Sequence, residues 1–595
     1  MDKKYNYIHS IAFLLVIALQ IAAICLSASA RTNYFVDELF SFGYAHAYTF
    51  DKKDVGYIDQ SPEWGYEKWI PNEELKIQLE VSGEESLLKK EPAAALKMLA
   101  LRRNYHGFLN IIMDVFSAGK PAVWPPIFFN LILFVFTQVL LCRITFGMTQ
   151  DHYASLLAVV MYGFSAAAIN THIYIRFYAL VLFLLFGCIR LHQKMWQEQR
   201  ILLFSLESIL GMILLFFALK NSELIMIIGG ALVMAFTAAL LIGKRYREAV
   251  FYVLLIVPAS LLYLIKKTSL INIMLHPADY QNKGGATGWI TDNLLTTNLG
   301  TIRGLIYKYY EWIGLRMFGS FRVLHGFLVL FIVLAGIRLF LWRKALAKSE
   351  KTVSENTSVD ASVDISEKAA EGISEKAAED TSERTAEGTP DSLDSASESR
   401  KDRTASRFVW VLFAACAVYF VFALLTGLRY PRYLSFLFAV AIGIFWTLIS
   451  MLTKGLMHRK YVYAICLLLV LFGAASTLRN RAEVIDYLYT EDRELIEAVQ
   501  NTDIRDAVVI VTEREDANHS VYDCVLLMPY TARLYPVNKE HQHIDTSDLP
   551  DRFLVWSHTK AESTEAYTGD LLRAGYSLEL MGTTHTSVVY VAEKG

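Results

Sequence analysis

Long apolar runs recur along the chain, each closed by a polar or basic cluster. A run of about 20 apolar residues crosses a bilayer as a helix. The pattern predicts about eleven spans, beginning with Ile11–Ala30, Trp124–Leu141, Tyr153–Ala168 and Tyr174–Leu191. Leu202–Leu219, Leu224–Leu241, Ala249–Leu264 and Leu324–Leu341 follow, then Phe408–Leu425, Tyr433–Leu452 and Tyr461–Ser476. The pair meeting around Asn170 could instead form one re-entrant hairpin. Past residue 479 the period changes. Ala507–Val511, Cys524–Met528, Phe553–Trp556 and Ser587–Val591 read as short strands, with helical patterns at Arg493–Val499 and Thr564–Ala574 among them. The fold class expected is therefore a polytopic α-helical membrane protein with a small C-terminal α/β domain.

Basic clusters orient the spans, because positive charge accumulates on the cytoplasmic side. Lys3-Lys4, His192 with Lys194 and Arg200, Lys244-Arg245 with Arg247, Arg343-Lys344 with Lys348, and His458-Arg459-Lys460 all fall on inside turns if there are eleven spans. The first segment could pass for a secretory signal ending at Ser27–Ala30, but its length favours a retained helix. Either way the next residues emerge outside. Three outer segments are large: 31–123, 266–321 and the tail from 479. The first has amphipathic patterns at Glu73–Leu79 and Ala93–Leu101. The second has Tyr309, Tyr310 and Trp312, which read as an interfacial aromatic belt. Residues 345–407 form a cytoplasmic stretch that nearly repeats Ile-Ser-Glu-Lys-Ala-Ala-Glu at 365 and 373 and lacks aromatics. It reads as a disordered linker. Four domains result: 1–344 membrane region, 345–407 linker, 408–478 remaining spans, and 479–595 outer α/β domain.

Composition agrees with this organisation and removes some functions. With 54 % hydrophobic and only 19 % charged residues, the chain suits a bilayer. A net charge of −2 without a basic, aromatic-rich stripe points away from nucleic acid. Six cysteines without a CxxC spacing support neither a zinc site nor a disulfide framework. His541 and His543 lack convincing ligand spacing and read as a polar turn.

The outer ends of the spans carry the chemistry. Asp37-Glu38 follows span one, and Tyr105, His106 and Asp114 precede Trp124-Pro125-Pro126 at the start of span two. Tyr174-Ile-Arg176-Phe-Tyr178-Ala-Leu180 opens span four, and Arg429-Tyr-Pro-Arg432-Tyr433-Leu434 opens span ten. Acids and arginines from distant stretches thus share one depth on one side. Arginine's persistent charge and planar fork suit phosphate oxygens.

With these residues in view, the chain resembles the GT-C membrane glycosyltransferases that use polyprenyl-phosphate sugars, among them protein O-mannosyltransferases, the lipid A aminoarabinose transferase and lipopolysaccharide-core transferases. The family's Asp-Glu motif is matched by Asp37-Glu38, its prolines at span two by Pro125-Pro126, its Arg-x-Tyr-Ala-Leu stretch by Arg176–Leu180, and its late Arg-Tyr-Leu by Arg432–Leu434. Trp124 stands where the family usually has histidine, and Tyr174 where it has glutamate. The resemblance covers 11–476 without the linker.

It implies an inverting transfer of a hexosyl or pentosyl group from a polyprenyl-phosphate carrier to a glycan, lipid or protein acceptor at the outer face of a plasma membrane. Asp37 would be the general base. Glu38 would orient the acceptor, bind a cation or cap a helix. Arg176 and Arg432 would hold the donor phosphate, with Arg429, His106, Tyr178 and Tyr433 as further candidates, against the plain reading of arginines snorkelling to headgroups. Asp114 would be a second acid or a surface acid. Asp37, Glu38 and Asp114 could ligate a divalent metal, although no spacing requires one. A lipid-carrier flippase or transporter would instead place charges near the midplane and repeat its halves, neither of which the sequence suggests. An inactive accessory subunit of a glycan synthase stays open.

Overall fold

Apolar helices gather into one bundle, and a small mixed sheet caps one of its ends. The computed structural model describes residues 3–31, 34, 36–46, 69–72, 79–81, 86–101, 103–266, 298–363, 390–428, 430–485, 493–510, 531–537, 546–558, 564–583 and 587–595. Its first helices are α1 (Lys3–Ser29), α2 (Val36–His46), α3 (Pro92–Leu101), α4 (Asn104–Ser117) and α5 (Trp124–Thr149). Next come α6 (His152–Gly163), α7 (Ala166–Ile173), α8 (Tyr178–Gln197), α9 (Ile201–Asn221), α10 (Ile225–Ile242) and α11 (Tyr246–Lys266). Then follow α12 (Leu299–Trp312), α13 (Phe321–Val363), α14 (Pro390–Leu425), α15 (Ser435–Thr453) and α16 (Arg459–Arg479).

Each predicted span lies on a helix. Among the described residues, nine helices are long and apolar enough to cross a membrane. The bent pair α6 and α7, broken by 58°, raises that number to ten if it is one span. The remaining predicted segment, Ala249–Leu264, falls within α11. The break between α6 and α7 replaces the expected continuous span Tyr153–Ala168. It is built by Ser165, whose hydroxyl accepts the Ala168 N–H at 3.1 Å and so starts a new helix.

Two other expectations change. The linker 345–407 is helical at both ends, since α13 continues to Val363 and α14 begins at Pro390; residues 364–389 lie outside the described part. Tyr309 is not an interfacial aromatic. It is 1 % exposed, and its hydroxyl contacts the Ala423 and Leu428 carbonyls, each at 2.9 Å, which ties α12 to the end of α14. The predicted helix Glu73–Leu79 falls almost wholly outside the described residues, whereas Ala93–Leu101 lies in α3.

Beyond the bundle, α17 (Arg493–Asn501) and α18 (Thr564–Arg573) pack with a six-stranded sheet. Its strands are β1 (Ile70–Pro71), β2 (Asp506–Ile510), β3 (Arg533–Val537), β4 (Arg552–His558), β5 (Tyr576–Thr583) and β6 (Ser587–Lys594), in the order β1-β3-β2-β4-β6-β5. The β3-β2-β4 centre is parallel and both flanks are antiparallel. The predicted strand Cys524–Met528 and the His541–His543 turn lie outside the described residues.

The edge strand β1 comes from the stretch between α2 and α3, more than 400 residues away in sequence. Ile70 pairs with Leu534. Trp69 stacks under Arg533 at 4.5 Å, and Arg533 in turn grips Asp506 through two 2.8 Å bonds. The loop after α1 and the C-terminal domain are therefore one assembly. The apolar core runs on from the bundle into this domain through Val484, Ile485, Leu495 and Val499.

Docking of α16 depends on two glycines. Gly319 has φ +74°, and a Cβ there would lie 2.2 Å from the Gly473 carbonyl oxygen; a Cβ on Gly473 would lie 2.4 Å from that of Phe318. Gly319→Ala therefore combines left-handed backbone strain with overpacking and should destabilise by about 2–4 kcal/mol. Thermal unfolding in detergent should show a clear drop in Tm; an unchanged Tm would contradict this packing.

Candidate active site

The site forms where α1, α5, α7, α8 and α15 present their ends to one side of the bundle. Asp37 and Glu38 occupy the first turn of α2, where acids answer the helix dipole. Adjacent residues on a helix point about 100° apart, so the two carboxylates cannot serve one centre.

Glu38 turns inward. It is fully buried and pairs with Arg31, itself 3 % exposed. Its other oxygen accepts the Ile175 N–H at 2.8 Å. Arg31 also donates to the Ile173 carbonyl at 2.8 Å. Asn130 on α5 donates to the carbonyls of His172 at 3.2 Å and Tyr174 at 3.0 Å. The carbonyls left over at the end of α7 are thereby satisfied by side chains from two other elements. The Ile173–Phe177 turn is fixed by these bonds.

That turn aims its neighbours at Asp37. The Tyr174 hydroxyl donates to Asp37 Oδ2 at 2.6 Å, and Arg176 Nη2 lies 3.6 Å from Oδ1. From the start of α15, Arg432 Nη1 reaches Oδ2 at 3.1 Å. The Arg432 guanidinium lies over the rings of Tyr430 at 4.8 Å and Tyr433 at 5.3 Å, and the Tyr433 carbonyl is held by the Tyr419 hydroxyl at 2.6 Å. Asp37 thus sits between two arginines from distant stretches. Burial lowers the affinity of Arg176 for its proton, but the Asp37 carboxylate together with Tyr174 and Tyr178 more than offsets that, and the net shift is upward. Arg176 Nε and Nη1 are buried with no hydrogen-bond partner among the described residues. Such donors suit an incoming anion.

Beside this cluster lies a small, partly open cleft. Its walls include Asn170, Tyr174, Tyr178, Arg316, Arg432 and Ser435. Tyr178 stacks on Tyr174 at 5.7 Å and is one of the expected donor-binding residues that line it. Tyr433 instead packs against Arg432.

The other candidates are elsewhere. Asp114 accepts a hydrogen bond from Ser86, which lies between α2 and α3. His106 is 3 % exposed and stacks on Tyr44 at 4.9 Å. Burial, then the charges of Arg103 and Arg176, hold its pKa well below the usual histidine range, so it is a neutral group at pH 7. Arg429 lies outside the described residues. The three carboxylates offered for a metal do not converge, since Asp37, Glu38 and Asp114 each face a different partner. Among the described residues there is no group of three metal-ligating side chains.

Tyr174, Arg31, Asn130 and Arg316 were not singled out as site residues from the sequence. Asn130 left a signal, as an amide in the interior of an apolar span calls for a buried partner. The Tyr174 hydroxyl donates to Asp37, where a carboxylate in its place would repel it.

No protein-family model and no curated protein matches the chain. Two solved structures align along nearly all of it at low identity. ArnT from Cupriavidus metallidurans bound to undecaprenyl phosphate is 10 % identical, covers 97 % of each chain and has a TM-score of 0.44. The apo state of ArnT from the same organism is 8 % identical, covers 99 % of this chain and 98 % of its own, and has a TM-score of 0.43.

Glu38→Gln should remove the carboxylate that pairs with the buried Arg31. We expect a loss of about 3–5 kcal/mol, as for breaking a buried ion pair. Asp37→Asn, at a partly exposed site, should lower the melting temperature far less. Thermal melts of the two purified variants test this; equal melting temperatures would remove the structural role of Glu38.

Proposed function

We propose that this protein is an integral membrane glycosyltransferase that moves a sugar from a polyprenyl-phosphate carrier to an acceptor hydroxyl at the outer membrane face. The observation that carries the reading is the position of Asp37, which two arginines from different span ends contact, one of them lining the adjacent cleft. A single carboxylate for a proton and guanidiniums for an anionic leaving group are the parts that glycosyl transfer from a lipid phosphate requires.

In this mechanism the donor phosphate enters the cleft and draws Arg432 and Arg176 toward its oxygens. Arginine suits this exchange because its fork accommodates carboxylate and phosphate alike. Asp37 is thereby loosened from its counterions as the acceptor arrives. The acceptor hydroxyl gives its proton to Asp37, and its oxygen attacks the anomeric carbon from the face opposite the phosphate. The bond from that carbon to the phosphate oxygen breaks, and the polyprenyl phosphate leaves with its charge held by the arginines. Tyr174 orients Asp37 through its hydroxyl, and Glu38 keeps the turn carrying Tyr174 and Arg176 in place. No metal step is needed for these bond changes. The C-terminal domain shares the end of the bundle with the site and is our candidate for acceptor contact.

Reconstitution with a panel of polyprenyl-phosphate sugars and acceptors tests the proposal. Asp37→Asn should fold and lower the transfer rate by about 10²–10⁴-fold, the range of general-base catalysis. Arg176→Gln and Arg432→Gln should raise the donor KM. A folded Asp37→Asn protein that transfers at the wild-type rate would overturn the role of the acid.

A further inference from the structure

Arg316 entered the site from an unexpected direction. Helix α12 passes without a break into a π-helical turn, Ile313–Met317, that carries this arginine. Such turns are energetically poor and recur where a side chain must be re-aimed at a functional site. Here Arg316 lines the same cleft as Arg432, Tyr174 and Tyr178. Its Nη1 donates to the Val484 carbonyl at 2.8 Å, and Asn170, another cleft residue, donates to that same carbonyl at 3.3 Å. Val484 is 5 % exposed and ends the turn Arg481–Val484, which joins α16 to the C-terminal domain.

We propose that Arg316 is a third phosphate-binding arginine at the donor site, positioned by the stem of the C-terminal domain. The inference rests on the transfer reading above and adds a residue to it. The Asp37 cluster has a conflict that a further arginine resolves. Arg176 and Arg432 contact the base as well as serving the phosphate, so the anion would have to be held by the same groups that steady the acid. The Val484 carbonyl accepts one Nη1 hydrogen bond from Arg316 and so fixes where its guanidinium lies along the cleft. An arginine from the α12 side and one from the start of α15 can each take phosphate oxygens, which leaves the anomeric carbon facing Asp37. The ligand class is the phosphate end of a lipid-linked sugar. The stem carbonyl also gives the C-terminal domain a direct hold on this grip.

The test is equilibrium binding of a long-chain polyprenyl phosphate without sugar to the full-length protein in nanodiscs. Arg316→Gln keeps an amide donor for Val484 but removes the charge. We expect its Kd to rise at least about tenfold, the size of one lost charge-assisted contact, with the wild-type melting temperature retained. Its binding should also depend less steeply on salt. Arg316→Lys should bind within about threefold of wild type, because the charge remains. Inorganic phosphate and phosphatidate vesicles serve as competitors, and neither should displace the polyprenyl phosphate at equal concentration. Equal Kd values for wild type and Arg316→Gln would overturn the assignment, and displacement by either competitor would overturn the donor lipid as its ligand. If Arg316→Gln is not recovered folded, a wild-type complex decides: the phosphate must lie within about 4 Å of both the Arg316 and Arg432 guanidiniums. A phosphate held by Arg432 alone would contradict it. Loss of transfer in Asp37→Asn with unchanged binding in Arg316→Gln would defeat this inference alone, whereas full transfer by Asp37→Asn defeats the functional reading beneath it.

Discussion

The buried pair between Glu38 and Arg31 is the constraint on which the site depends. Two charges at 0 % and 3 % exposure are costly to place unless their remaining hydrogen-bonding capacity is used. Here it is used on the backbone of a single turn. Glu38 takes the Ile175 N–H, and Arg31 takes the Ile173 carbonyl. The side chains on either side of Ile175 are Tyr174 and Arg176, the two that meet Asp37. One carboxylate of the acidic pair is thereby committed to architecture, and the neighbouring one is left in the partly exposed position that chemistry needs.

The same economy extends outward. The loop after α2 contributes β1 to the C-terminal sheet, and the stem of that domain ends on a carbonyl that holds Asn170 and Arg316. The site is therefore enclosed by three chain segments that are far apart in sequence. At the opposite end of the bundle, Asp151 gathers Arg459, Tyr463 and Ser450, which joins α6, α15 and α16. Placing the Asp37 and Asp151 clusters at opposite ends agrees with the alternation read from the basic clusters.

Much of this was legible in the sequence, for identifiable reasons. Hydropathy locates the spans, because each must bury its backbone in its own hydrogen bonds. Basic punctuation then puts Asp37, Arg176 and Arg432 at one depth, and the structure brings all three into contact. Glu38 was ambiguous, since nothing in an isolated Asp-Glu pair tells which acid turns inward. Strand β3 was missed because Pro536 breaks the usual strand pattern; the two-residue β1 ends before reaching it, so its missing N–H faces the open edge. The pairing of β1 with β3 has no local signal at all. Arg316 was not singled out, because nothing in its neighbouring residues signals the π-helical turn that carries it.

The stereochemistry of transfer tests the central reading most directly. Asp37 contacts Arg432, which lines the cleft, while Glu38 is buried against Arg31, so the two acids of the pair do not share one centre as a covalent sugar intermediate would require. Nuclear magnetic resonance of the product formed by the wild-type protein from a polyprenyl-phosphate sugar of known anomeric configuration should show complete inversion. Retention of configuration would contradict a single displacement assisted by Asp37.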